Sequence, residues 1–301
     1  MHEIVCELAC GCIAFLLFVE LDVGTSPFPQ RPAERQEDGQ FPRVESVSAL
    51  TAVVRGWLRR LGVEVVRYRG GQYPLPADFD SDAADVIRKV RAYTMTSPER
   101  LYSLIQAVRY VSAASIPGDI VECGVWRGGS MMAAALTLIE CNDSSRQLFL
   151  FDTFEGMSPP TEHDVAIDGQ SASSLLDTHK KTESDAVWCY ATLEQVRDAM
   201  AGTGYGPDKV KYVRGKVEDT IPGQAPPKIA LLRLDTDWYE STRHELEHLF
   251  PRLVRGGVLI VDDYGHWKGA RKAVDEYLRT KGIHLLLNRI DYTGRIAVKA
   301  E

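Results

Sequence analysis

The chain has 301 residues, 45% hydrophobic and 26% charged, a composition that buries a sizeable core as one large domain or two small ones. Its formal net charge of -7, with no Lys/Arg-dense block, argues against a nucleic-acid partner, because a phosphate backbone is met by a basic face. Six cysteines include no CxxC pair, which disfavours a zinc module at Cys6, Cys10 and Cys12 and leaves reduced thiols of a cytoplasmic protein.

Ile4 to Val23 is apolar but interrupted by Glu7 and Glu20, and its continuous apolar core, Cys12 to Val19, is far short of the ~20 residues that cross a bilayer. No membrane partner is expected. The segment reads as an amphipathic or poorly ordered extension, or as a start placed too early. From Gly24 to Glu45 the chain is rich in Pro, Gln, Arg and Glu and reads as a linker, so residues 1-45 form an N-terminal extension. Residues 46-117 read as a helical region. Leu50, Val53, Val54, Trp57, Leu58 and Leu61 fall at helical spacing over Ser48 to Leu61, and Asp82 to Tyr93 predicts a second helix. Ser97-Pro98-Glu99 opens a third, to about Ser115, because Ser caps and Pro suits the first helical position.

Residues 118-301 alternate short apolar runs with helical stretches. Ile120–Cys123, Gln147–Phe151, Val210–Arg214, Ile229–Leu234 and Gly257–Val261 read as buried parallel strands. Ile283–Ile290 and Arg295–Val298, joined by Asp291-Tyr292-Thr293-Gly294, predict an antiparallel hairpin. The fold class is therefore α/β, a doubly wound sheet whose ligands lie beyond the carboxyl ends of the strands.

The first strand runs through Gly124-Val125-Trp126-Arg127-Gly128-Gly129-Ser130 into the helix Met131–Ile139, a turn whose glycines let the backbone approach a nucleoside; a tight turn by itself would use the same glycines. The spacing is not GxGxxG, which disfavours NAD or FAD. Asp152 ends the second strand, where an acid accepts hydrogen bonds from ribose hydroxyls. Asp235 and Asp237 follow the fourth strand and Asp262 and Asp263 the fifth. If those strands are neighbours, Asp235, Asp262 and Asp263 converge, and their repulsion calls for a cation. Oxygen donors without Cys or His indicate Mg2+ or a similar hard ion, beyond what helix capping by Asp needs.

Together Tyr93-Thr94-Met95-Thr96-Ser97, Val121 to Ser130, Phe151 to Met157, Leu234 to Thr242 and Val261 to Trp267 resemble the macrocin O-methyltransferase family, whose members methylate deoxysugars of macrolides and related natural products. The resemblance runs from about Ala92 to the C-terminus. It implies a class I S-adenosylmethionine-dependent methyltransferase (Rossmann-like) sheet with S-adenosyl-L-methionine over the Gly-rich turn. Glu122 and Gly124 would border the methionine part, Thr94, Met95 and Ser130 would close over it, and Asp152 would hold the ribose. Asp235, Asp262 and Asp263 match the family's metal ligands and Asp237 its general base. Pro159 to Tyr190 falls where the family carries a mobile loop over the acceptor, and a homo-oligomer is implied.

The expected reaction is methyl transfer to a hydroxyl of a small natural product in antibiotic biosynthesis. An alcohol has a pKa near that of water, ~15.7, and Mg2+ chelated by two adjacent hydroxyls would lower it and orient them. Asp237 is the expected base if extended backbone persists past Asp235, since residues i and i+2 then share a face. His266 is the rival base. Alternatives are a phenolic or aminocoumarin-type acceptor, an NAD-dependent oxidoreductase and an inactive binding protein.

Overall fold

The computed structural model describes residues 6–8, 63–65, 75–182 and 186–300. The chain divides into units Met1–Pro74 and Leu75–Glu301. In the first unit β1 (Cys6–Leu8) pairs antiparallel with β2 (Val63–Val65), so part of the segment expected to be an extension is a paired strand. The linker to Glu45 and the helix expected over Ser48–Leu61 lie outside the described residues.

The second unit opens with α1 (Ser81–Val90), capped by Asp80, whose carboxylate accepts from the Ala83 N–H at 2.9 Å. One tighter turn over Arg91–Tyr93 completes the stretch that the sequence predicts as helix. α2 (Pro98–Ala113) starts as its sequence dictates, with Ser97 Oγ accepting from the Arg100 N–H at 3.2 Å and Pro98 in the first turn, where it loses no helical bond.

The seven-stranded sheet contains β3 (Asp119–Cys123), β4 (Leu148–Asp152), β5 (Val210–Arg214), β6 (Ile229–Leu234), β7 (Leu253–Val261), β8 (Asn288–Arg289) and β9 (Arg295–Val298). Their order is β5-β4-β3-β6-β7-β9-β8, with β3 to β7 parallel and β8 and β9 antiparallel to their neighbours. The chain steps outward from β3 through β4 to β5 and then returns to the far side of β3, so a crevice opens between the ends of β3 and β6. Successive β3 residues face opposite layers: Ile120 joins the core under α1, α2, α3 (Gly129–Glu140) and α5 (Leu193–Ala201). Val121 and Cys123 join the core under α7 (Tyr239–Leu249) and α8 (Lys268–Lys281). Two short helices, α4 (Ala172–Thr178) and α6 (Val217–Thr220), complete the unit. Among the described residues no helix is long and apolar enough to cross a membrane.

Two sequence expectations are corrected. β7 begins at Leu253 rather than Gly257, and its register shifts within the strand, between the Ile229–Leu253 and Leu231–Val258 pairs. The predicted strand Ile283–Ile290 shrinks to Asn288–Arg289: Ile283, Leu285 and Leu287 pack on the core while Leu286 is 78% exposed. That alternation reflects burial against the core without strand pairing, so the period of a strand appears without its ladder.

Gly124 joins β3 to the crevice at φ +81°, and a Cβ there would collide with the Asp235 carbonyl oxygen. Gly124→Ala is therefore expected to cost more than the ~1–3 kcal/mol of ordinary overpacking, lowering Tm by roughly 5 °C or more in a thermal melt. An unchanged Tm would refute the close approach of the two strand ends.

Candidate active site

A cavity of about 470 Å3 lies at the carboxyl ends of β3, β4, β6 and β7. Its floor is the Gly-rich turn. Gly128, at φ +88°, precedes α3, whose first N–H groups present the positive end of the helix dipole beside Ser130 in the cavity wall. A Cβ on Gly129 would come within 2.6 Å of the Tyr93 carbonyl oxygen, so glycine there lets the Tyr93–Thr96 segment close over the start of α3. Thr94 and Met95 accordingly line the cavity.

Asp152 also lines it, but its carboxylate is engaged. Oδ2 accepts from the Val125 and Trp126 N–H groups at 2.6 and 3.1 Å, and Oδ1 from the Phe154 N–H at 2.6 Å. Asp152 thus ties the end of β4 to the turn after β3. Burial raises its pKa and these N–H groups oppose the shift. Glu122 does not line the cavity. It is 1% exposed behind it, with Oε1 accepting from Arg233 Nη1 at 2.6 Å, and burial pushes its pKa up to about 7.

The opposite end of the cavity carries the acids. One oxygen each from Asp235, Asp262 and Asp263 lies within 4.8 Å of the others. Adjacency of β6 and β7 brings them together, as the Asp262 N–H donates to the Leu234 carbonyl at 2.9 Å. Two cations flank them. Arg233 pairs with Asp235 at 2.6 Å and Asp262 at 2.9 Å, and Arg100 pairs with Asp262 and, at 3.0 Å, with Asp291. The carboxylates still outnumber the guanidinium groups. Burial pushes the Asp235 and Asp263 pKa values well above the carboxylate range, and neighbouring carboxylates add to the shift. Asp263 Oδ2 is buried without a hydrogen-bond partner. Clustered hard oxygens, surplus negative charge and an orphaned buried oxygen fit a divalent hard cation.

Asp237 lines the same end, but not for the reason that the sequence suggests. Strand geometry stops at Leu234, and Asp237 has φ +66°, in a turn closed by the Trp238 N–H donating to the Thr236 carbonyl at 2.7 Å. The turn, not i and i+2 alternation, lays Asp237 against Asp263 and Trp267. A left-handed non-glycine residue stores strain that such sites retain for placement. Burial, reinforced by Asp235, pushes the Asp237 pKa up to about 8. His266 stands at the cavity mouth with Nδ1 3.3 Å from the Tyr292 hydroxyl, and burial lowers its pKa.

Arg233 and Arg100, which pair with the clustered acids, are residues of the candidate site that the sequence reading missed. Arg233 carried a signal: an arginine inside the wholly buried run of β6 needs buried anions. The described residues of the Pro159–Tyr190 stretch, 159–182 and 186–190, carry more regular structure than their composition suggests. The stretch contains α4, and it is joined to the end of the sheet by Ile167 N–H donating to His266 O at 2.8 Å and Lys268 N–H donating to Val165 O at 2.9 Å.

A family model described as Macrocin-O-methyltransferase (TylF) matches residues 73–298, a span that includes the elements lining the cavity. The 8-demethyl-8-(2,3-dimethoxy-alpha-L-rhamnosyl)-tetracenomycin-C 4'-O-methyltransferase of Streptomyces olivaceus is 38% identical over 203 residues, 67% of this chain and 74% of that protein. The mycinamicin III 3''-O-methyltransferase of Micromonospora griseorubida is 33% identical over 67% of this chain and 77% of its own. Among solved structures, the O-methyltransferase NovP is 31% identical, with a TM-score of 0.60 over 69% of this chain and 83% of that one.

Proposed function

Since the chain belongs to the macrocin-O-methyltransferase family and is an S-adenosylmethionine-dependent O-methyltransferase, we propose that it methylates a sugar hydroxyl of a glycosylated natural product with the help of Mg2+. The observation that carries this reading is the meeting, in one cavity, of the Gly-rich turn and the acids beyond β6 and β7. Family membership removes the oxidoreductase alternative.

Thr94, Met95, Gly124, Ser130 and the first N–H groups of α3 would hold the cofactor, with Asp152 fixing the turn beneath it. Asp235, Asp262 and Asp263 would hold the cation. When bound, S-adenosylmethionine supplies an electrophilic methyl group and Mg2+ supplies Lewis acidity. Asp237 orients the acceptor hydroxyl and takes its proton, and burial suits it to that task by raising its proton affinity. His266, at the mouth beside Tyr292, contacts the outer part of the acceptor. Trp238 and Trp267, packed edge to face at 5.0 Å, keep water from the Asp237 side.

The test is a labelled-methyl transfer screen over glycosylated macrolides, other glycosides and free phenolics, with Mg2+ and with excess EDTA. Turnover of glycosides that chelator stops and Mg2+ restores is expected. Transfer confined to phenolics would overturn the sugar reading, and full activity in EDTA, with metal absence verified by elemental analysis, would overturn the cation reading.

A further inference from the structure

Asp164 lies in the acceptor-side segment, outside the cavity, and is 1% exposed. Both of its carboxylate oxygens are in use. Oδ1 accepts from the Tyr239 N–H at 2.7 Å, while Oδ2 accepts from the Thr161 N–H at 2.6 Å and the Thr161 hydroxyl at 2.9 Å. Tyr239 is the first residue of α7, whose N-cap position, Trp238, offers no side-chain cap. The helix is therefore capped from a segment some 75 positions away in the chain, and an anion there also meets the positive end of the helix dipole. The capped helix begins two residues after Asp237.

The other side of this junction faces the cavity. The Asp164 carbonyl accepts from the Ala172 N–H at 2.9 Å, and Trp238 Nε1 donates to the Ser158 carbonyl at 2.9 Å, so both cavity-lining ends of the segment are tied to it. A Cβ on Gly269, in the first turn of α8, would collide with Asp164 Oδ1, so the carboxylate reaches Tyr239 through space that only a glycine leaves.

We propose that Asp164 is a positioning residue for methyl transfer: it fastens the acceptor-side wall, residues 158–172, to the start of α7, so that the wall and the Asp237 turn hold one fixed spacing. The polar, irregular sequence of this segment suits a mobile cover, but a buried carboxylate whose bonds cross from the segment to a helix start makes it a fixed wall. The proposal rests on the reading that the acceptor occupies this cavity beside Asp237. Misplacing a reacting group by about 1 Å costs on the order of 10²-fold, so loosening this junction acts on turnover even though Asp164 touches no substrate.

The experiment combines steady-state kinetics with peptide-level hydrogen exchange on the full chain. Asp164→Asn preserves size but replaces one accepting oxygen by a donor. It is expected to lower kcat/KM for the acceptor by roughly 10- to 100-fold, through both kcat and KM, with cofactor affinity unchanged. Amides of residues 158–172 and of the first turn of α7 should exchange faster. Gly269→Ala displaces the carboxylate from the other side and should reproduce the effect, and the double variant should lose no more than the worse single. Should Asp164→Asn fail to fold, Thr161→Val and Gly269→Ala carry the same test. Multiplicative losses, unchanged kinetics with amides still protected, or faster exchange with unchanged kinetics while Asp237→Asn is inactive each overturn the proposal. Faster exchange with unchanged kinetics in Asp164→Asn and Asp237→Asn alike places the failure in the acceptor-site reading instead.

Discussion

Asp263→Asn is expected to abolish methyl transfer at ordinary Mg2+ concentrations and to leave the metal-free protein at least as stable as the parent. The two effects share one cause. Asp263 is 9% exposed, its Oδ2 has no partner, and Asp237 and Asp262 crowd it with like charge. Asparagine keeps the shape and removes an anion. Repulsion in the metal-free site falls, while a hard cation loses a charged oxygen. Losing an outer-shell partner of a metal site costs ~10–100-fold in affinity or activity, and loss of a direct ligand should exceed that. The check is a pair of thermal melts beside the assay. Mg2+ at a hundred times its Kd stabilises the parent by ~2.7 kcal/mol, and that increment should vanish in the variant. If the variant kept both the increment and turnover, Asp263 would not be a ligand.

Asp237→Asn is expected to lower kcat by ~10²–10⁴-fold, the usual contribution of a general base, while cofactor and Mg2+ affinities stay as they were. The substitution is well matched to the backbone. At φ +66° most side chains are strained, but asparagine and aspartate both visit this region, so the variant changes chemistry without changing the turn. Alanine would confound the two. Its rival for the proton is His266, which shares the cavity but faces Tyr292 at the mouth. His266→Ala should raise acceptor KM more than it lowers kcat. Normal turnover by Asp237→Asn, with loss of several orders in kcat for His266→Ala at unchanged cofactor affinity, would reverse the assignment.

Local chemistry determined much of this protein without reference to tertiary structure. Ser97 and Pro98 start α2 because a hydroxyl cap and a residue lacking N–H suit a helix start wherever it lies in the fold. The apolar runs that became β3 and β6 read as parallel strands because burial on both faces leaves little room for polar alternation, while the edge strand β5 exposes Lys211 and Arg214. The acids at their carboxyl ends, Asp152, Asp235, Asp237, Asp262 and Asp263, could be picked out because a doubly wound sheet puts strand ends at its crevice. Tertiary structure decided which groups face those acids. The Arg233–Glu122 and Arg100–Asp262 pairs join residues 111 and 162 positions apart, and no local rule relates such distances to a contact. It also turned Asp152 toward backbone N–H groups, withdrew Glu122 behind the cavity, bent the chain at Asp237 and capped α7 with Asp164. Side-chain direction and ion pairing depend on what the rest of the chain brings within a few ångströms, whereas propensity and burial period are written into each segment by itself.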